Sequence, residues 1–382
     1  MQDYVDWIVG QALPFWAGSA FDRKNNRFVE RLDLAGHPLA VPHRAMVQAR
    51  QIYVFAHAAE LGWSSDAGSL AERAAASLRR DFFEIAGGKA SLAFSINPAS
   101  GLVHDATRDS YAHAFVLLGL AQLYRINGDR VLLILAAQIT AFVEDDMTDA
   151  RHGGLIDDLP RKSSTKRQNP QMHLLEAYLA WAEVAPDHGY LERAGNLIAL
   201  FMDRMMDHER QVLIENFADN WTPHPDPERA SVFEPGHHYE WVWLLWRHQQ
   251  LSGSDHRAVR RLLMASAMHH GHGADGIIYD EVSATKRVLA NSSRLWPHTE
   301  AIKAAVSWHA EGDPQALEFA RSMANVLLTH FVGRPFPGGW VDRLDHNRDQ
   351  AVDHVPASSL YHLFLGAAEA HKLHLQSETV NA

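Results

Sequence analysis

Gly154-Leu155-Ile156-Asp157 is a short extended stretch between two helix-like runs. The chain repeats it with variation as Val212-Leu213-Ile214-Glu215, Gly276-Ile277-Ile278-Tyr279-Asp280 and Gly339-Trp340-Val341-Asp342. Each copy lies in a long loop that gives way to a run with apolar residues at three- and four-residue steps, the period of a helix. The runs begin near 41, 109, 169, 233, 296 and 356, which makes a repeating unit of roughly sixty residues. Short stop-and-start signals, Asn127-Gly128-Asp129, Ala185-Pro186-Asp187, Ser252-Gly253-Ser254 and Gly312-Asp313-Pro314, each join a helix to its neighbour. About twelve amphipathic helices result, from a weak run at 4–15 through 46–61 and 70–83 to 317–331 and 360–373. Six hairpins with short turns on one side and β-containing loops on the other describe an all-α (α/α)6 barrel. Its long loops form one rim, where sites usually sit. One catalytic domain over 1–375 and a polar tail over 376–382 are expected.

Composition narrows the function classes. The 382 residues are 47% hydrophobic, enough for one large core. The absence of cysteine excludes disulfides, thiolate metal sites and a cysteine nucleophile. A formal charge of −11 argues against nucleic acid or an anionic membrane as the main partner. Met1-Gln2-Asp3-Tyr4-Val5-Asp6 carries acids where a signal peptide needs positive charge, and no apolar run reaches membrane-spanning length. A cytoplasmic monomer or homodimer acting on a small molecule is expected.

Polar clusters recur where each loop meets its helix: Tyr111 and His113, Asn169 and His173, His237 and Glu240, Trp296 and Glu300, and His362. The earliest run carries Arg44 and Arg50. In Glu234-Pro235-Gly236-His237-His238-Tyr239-Glu240-Trp241, Pro235 and Gly236 mark a helix start, and His237 and Glu240 share a face. A carboxylate beside an imidazole raises its basicity, as acid–base work requires. A helix-start ion pair is the plainer alternative. Metal binding would need further ligands, and none is expected. Asn169, His173 and Glu176 share one face in the same way. Arg50, amid Val47, Ile52, Val54 and Phe55, needs an acidic partner or an electron-rich ligand if it is buried. Trp296 and Trp340, at loop–helix junctions, are placed to stack on a sugar face. Met268-His269-His270-Gly271-His272 and the basic loop 161–167 read as surface features.

Gln48-Ala49-Arg50-Gln51-Ile52-Tyr53, the stretch 169–176, Pro235-Gly236-His237 through Glu240-Trp241, Trp296-Pro297-His298-Thr299-Glu300 and Tyr361-His362 resemble the N-acylglucosamine 2-epimerase superfamily. The resemblance covers nearly the whole chain. The Trp296–Glu300 motif is similar to that of the mannose isomerase branch, where glutamine more often stands at the position of His298. The resemblance implies an (α/α)6 barrel that isomerises or epimerises sugars without a cofactor. It implies Arg50, His173, His237, Glu240 and His362 as catalytic residues. Asn169, Tyr111, His113, Trp296, Glu300 and Trp340 are expected to bind substrate.

The expected activity is interconversion of D-mannose and D-fructose, or of related aldoses such as lyxose, through a cis-enediolate. His362 is expected to move the proton between C2 and C1, because it has no acid in its own turn. His237, oriented by Glu240, is expected to open the ring. A 2-epimerase of mannose/glucose or N-acylglucosamine type uses the same intermediate, and sulfoquinovose isomerases share the family. An inverting glycoside hydrolase would pair two of Asp109, Glu240 and Glu300 at roughly 6.5–9.5 Å. A non-catalytic sugar-binding module would keep the aromatics.

Overall fold

The computed structural model describes the backbone of residues 1–380 and the side chains of residues 1–375. Its α-helices are α1 (Gln2–Trp7) and α2 (Leu13–Gly18), joined by a π-helical turn, α3 (Ala45–Glu60), α4 (Ala67–Phe82), α5 (Ser110–Asn127) and α6 (Arg130–Phe142). There follow α7 (Gln168–Val184), α8 (Tyr190–Leu200), α9 (Pro235–Ser252), α10 (Arg257–His270), α11 (Trp296–His309), α12 (Ala316–Val326) and α13 (Leu360–Val380). Of the tail expected at 376–382, residues 376–380 continue the α13 backbone, and 381–382 lie outside the described residues. No described helix is long and apolar enough to cross a membrane.

Burial separates two kinds of helix. In α4, Leu70, Ala71, Ala74, Leu78 and Phe82 are buried while Glu72, Arg79 and Arg80 face solvent, so one stripe faces inward. In α3, α5, α7, α9 and α11 nearly every residue over the first three turns is buried. A helix apolar on all sides must be enclosed. Each of these inner helices packs on the next, and α13 packs back on α3, which closes the ring. The outer helices α1, α4, α6, α8, α10 and α12 back the inner ones. Packing is closest between α3 and α5: a Cβ on Gly119 would lie 2.7 Å from the Ala49 carbonyl oxygen. The chain is an (α/α)6 barrel.

The rim is stitched by backbone. Two residues before each inner helix pair with the loop of the following unit: His43–Arg44 with Ser95–Ile96, Lys166–Arg167 with Asn216–Phe217, Ser293–Arg294 with Arg343–Leu344. The last pair, Val355–Pro356 with Arg31–Leu32, joins the two ends of the chain. Loop carbonyls of the following unit also accept an N–H at or just before the start of five of these helices. Ala45 donates to Phe94, Ser110 to Asp157, Gln168 to Glu215, Leu295 to Asp342 and Ala357 to Glu30, at 2.9 to 3.2 Å. These bonds satisfy N–H groups that a helix start otherwise leaves orphaned. The remaining helix, α9, begins with Pro235, which has no N–H to satisfy.

A second device fixes each loop to its own helix. A side chain in the first turn accepts the N–H of the loop residue beneath it: Gln48 that of Phe28, His113 that of Leu92, Gln171 that of Leu155, His238 that of Leu213, His298 that of Ile278, at 3.0 to 3.1 Å. Burial holds the pKa of His113 down to about 4 and those of His238 and His298 down to about 3, so all three are neutral acceptors at neutral pH. Their folded pKa values lie below the ordinary 6.5, so the stability they confer is complete above about pH 6.5. It is lost as the pH falls toward 4 and 3, at about 1.4 kcal/mol per pH unit for each group.

Because two units use glutamine for the same bond, His298→Gln should cost less than about 1.5 kcal/mol at pH 7.5. Relative to the wild type it should gain on the order of 2 kcal/mol at pH 5. Urea midpoints at the two pH values check this, and an unchanged gap between the proteins would refute it. His298→Ala should lose about 2–4 kcal/mol at pH 7.5, having left the Ile278 N–H unpaired, and about 2 kcal/mol less than that at pH 5, where the wild type has itself lost stability.

Candidate active site

Two residues beyond each of these clip positions, the inner helices turn a side chain toward the barrel axis just below the rim. The residues are Arg50, Phe115, His173, Glu240, Glu300 and His362. The last has Leu360 at the place of a clip. One turn deeper stand Glu176 and Lys303.

Arg50 is 5% exposed, and among the described residues no carboxylate pairs with it. Its guanidinium donates to the Ser358 carbonyl at 3.1 Å and to the Tyr111 hydroxyl at 2.6 Å, and lies 4.0 Å from the centre of the Phe115 ring. Its Nε has no partner. The Tyr111 ring meets His173 edge-on at 5.0 Å. His173 donates from Nδ1 to Glu176 at 3.1 Å, and burial holds its pKa down to about 4. Glu176 accepts a second bond from the Tyr361 hydroxyl. Burial would raise the Glu176 carboxyl, but the bond from His173, the charge of Lys303 and the Tyr361 hydroxyl hold it down to about 2.

The two remaining histidines sit on either side of Trp296, whose ring lies 4.9 Å from that of His237 and 5.6 Å from that of His362. Their charge states differ. Burial opposes a charge on His237, but Glu215, 2.9 Å from Nδ1, and Glu234, at 3.8 Å, outweigh it and lift the pKa to about 9. His362 has Nδ1 2.9 Å from Glu300. Burial, reinforced by the positive charges of Arg50 and Lys303, holds it well below 6.5. At neutral pH one ring is an imidazolium and the other a neutral base.

Beneath them Lys303, fully buried, lies 2.6 Å from Glu300 and 4.2 Å from the centre of the Trp243 ring. Burial disfavours its charge, yet Glu300, Glu176 and Glu240 together raise its pKa. Glu240 is 1% exposed, and its Oε1 makes no hydrogen bond. Burial and then Glu300 push its pKa well above the usual carboxylate range.

The structure thus gathers Arg50, Tyr111, His173, His237, Glu240, Trp296, Glu300 and His362. Asn169 stands in the first turn of α7, its side-chain oxygen without a partner. Two expected residues fall elsewhere. His113 is a fully buried clip, engaged with Leu92 and stacked on Phe142. Trp340 holds in the sixth unit the place of Leu155 in the third; it is fully buried and stacked on Trp16 at 4.9 Å. One expected pairing is replaced, and one contact from outside the helical turn is added. His237 is oriented by Glu215, not Glu240, and His362 does meet a carboxylate, contributed by α11.

Glu215, Lys303 and Tyr361 were not singled out from the sequence. Glu215 ends one of the four echoed stretches, so its signal was present. The basic loop also differs from expectation: Lys166 is buried against Asp149 at 2.7 Å.

Among the described residues three groups of acids and histidines have metal-ligand spacing, and the donor chemistry of each speaks against a cation. In His173–Glu176–Glu240 the imidazole Nδ1 is donating to Glu176, and burial raises the pKa of Glu240, which disfavours the carboxylate a cation would need. In Glu215–Glu234–His237 the ring is an imidazolium, and Arg294 already neutralises Glu234 at 2.6 Å. In Asp149–His152–Asp219 the ammonium of Lys166 and the guanidinium of Arg161 take the carboxylates.

The family model for N-acylglucosamine 2-epimerase (GlcNAc 2-epimerase) matches residues 28–366. The chain belongs to this family. A mannose-6-phosphate isomerase of Rhizobium meliloti (strain 1021) is 32% identical over 96% of this chain and 95% of its own. A cellobiose 2-epimerase of Bacteroides fragilis is 24% identical over 79% of this chain and 80% of its own. Among solved structures, a D-mannose isomerase superposes with a TM-score of 0.87 at 19% identity, covering 98% of each chain. As a member of this epimerase and isomerase family, the protein is an enzyme acting on sugars.

Proposed function

We propose that the protein interconverts D-mannose and D-fructose by proton transfer through a cis-enediolate. The observation that carries this reading is the pairing of one neutral and one protonated imidazole across Trp296. Ring opening needs a proton given to the ring oxygen, which His237 holds up to about pH 9. Abstraction at C2 needs an unprotonated base, which His362 supplies through the ring nitrogen that Glu300 leaves free. Arg50, unpaired with any acid, is available to stabilise the enediolate oxygens as charge develops, and His173 presents its second ring nitrogen to the same space. A 2-epimerase would need a second base on the opposite face of C2. The imidazolium state of His237 disfavours it in that role.

Chelator-treated protein incubated with mannose, with products separated by chromatography, tests the proposal. Fructose is the expected product. Glucose without fructose would assign the protein to 2-epimerisation, and loss of activity restored by a divalent ion would overturn the metal-free chemistry. Cellobiose and mannose 6-phosphate belong in the same panel because relatives carry those names. A rim cleft of about 440 Å³ between Arg31 and Arg44 is a specific reason to include the phosphorylated sugar.

A further inference from the structure

Arg294 lies two residues ahead of Trp296, in the rim pair where it stands opposite Arg343. Like charges placed opposite each other on paired strands repel. Here Asp280, 2% exposed, lies 3.0 Å from one guanidinium and 3.1 Å from the other and offsets the repulsion. Asp280 also accepts the Arg294 backbone N–H at 2.7 Å and the Ser292 hydroxyl at 2.6 Å, so loss of the Arg294 side chain would not strand it. Of the two arginines Arg294 is the one that reaches the histidines. Its guanidinium lies 2.6 Å from Glu234, which in turn lies 3.8 Å from Nδ1 of His237. The same guanidinium lies 5.3 Å from the centre of the Trp296 ring, which separates His237 from His362. That ring packs so closely on α9 that a Cβ on Gly236 would come within 2.6 Å of it. Burial opposes a charge on Arg294, but Glu234 and Asp280 outweigh it, so the group stays a cation.

We propose that Arg294 is a positioning residue serving both histidines: its guanidinium anchors Glu234 beside His237 and holds the Trp296 ring between the two imidazoles. The two duties differ in kind. Toward Glu234 the interaction is between charges, and another cation at that place would serve. Toward Trp296 the planar guanidinium matters, because an ammonium has no plane to lay against an indole. His237 feels a definite set of groups. Glu215 and Glu234 face it from the loops, Glu240 from its own helix and His173 from α7. Trp296 faces it from α11, with Glu300 and Lys303 below and His362 beyond the ring. Arg294 tempers the field of Glu234, so removing its charge strengthens that carboxylate's hold on the His237 proton. Removing Glu234 weakens it.

Nitrogen-15 histidine spectra read the charge of His237 without any sugar, its resonance being the one missing in His237→Asn. In Arg294→Gln the His237 pKa should rise by roughly half a unit or more. Arg294→Lys, which keeps the charge, should titrate within about 0.3 unit of the wild type. Glu234→Gln, which breaks the chain from its other end, should move His237 down. Arg343→Gln takes the same kind of partner from Asp280 and should leave His237 where it was. The ring protons of His362 carry the ring current of Trp296 and should shift in both Arg294 variants. With mannose, an arm that rests on the isomerase reading given above, kcat should fall about tenfold or more in both Arg294 variants. Lysine should restore the position of the basic limb but not the rate. A His237 pKa unmoved or lowered in Arg294→Gln, or raised as far in Arg294→Lys, overturns the anchoring of Glu234. Unshifted His362 protons in Arg294→Lys overturn the hold on Trp296, and so does a wild-type kcat. An equal shift in Arg343→Gln would make the effect a general one of the rim and overturn the proposal. Absence of turnover by the wild type with every sugar would refute the isomerase reading instead, and the spectra would still decide both duties of Arg294.

Discussion

Replacing His362 by asparagine lowers kcat by about 100- to 10,000-fold and abolishes solvent-deuterium exchange at C2 of the sugar. Asparagine keeps a polar group facing Glu300 but cannot take a carbon-bound proton. His237→Asn gives a different result, because that ring is the protonated one. Exchange at C2 persists in part, most clearly with a substrate supplied largely in open-chain form. The basic limb of the pH profile separates the two roles further. Wild-type activity should decline as the pH rises through about 9, where His237 loses its proton, and His237→Asn should lack that limb. The opposite pattern would exchange the roles. Equal and complete loss in both variants would mean that the rings act as one unit.

Lys303→Met destabilises the fold by about 3–5 kcal/mol, because it strands buried carboxylates that share one ammonium. The clearest measurement is denaturant unfolding of Lys303→Met beside the double variant Lys303→Met/Glu300→Gln. Removing the partner charge should restore more than half of the loss. A double variant no better than the single one would place the damage in packing against Trp243 instead.

Periodicity made the helices and the barrel legible because both are local properties repeated six times. The cluster was harder to read. Several side chains in it are positioned by a residue of another unit: His362 by Glu300, 62 residues away, Arg50 by Tyr111, 61 away, and Tyr361 with Glu176, 185 away. Reading within one helical turn therefore paired His237 with Glu240 and left His362 without an acid. Histidine is also used twice in this architecture. At the clip position it holds a loop by its backbone; two residues later, or one residue earlier in His237, it faces the axis. Residue type alone does not separate His113 from His173, whereas counting from Gln48 and Gln171 does. Trp340 misled for a related reason: a tryptophan in the place of Leu155 enlarges the core rather than the mouth.

The bond from Ala357 N–H to the Glu30 carbonyl joins the sixth unit to the first as the other caps join neighbours. An open stack of repeats can lengthen or shorten by one unit and still present two ends. A ring cannot: removing one hairpin here would leave an uncapped helix start, an unpaired strand and a gap in the wall around the cluster. Number six is thus fixed by geometry, and evolution of this chain is confined to changing what each unit presents. The same closure makes the position of the chain ends nearly arbitrary. A permuted polypeptide, opened at the short turn near Gly189 and rejoined elsewhere, would describe the same circle.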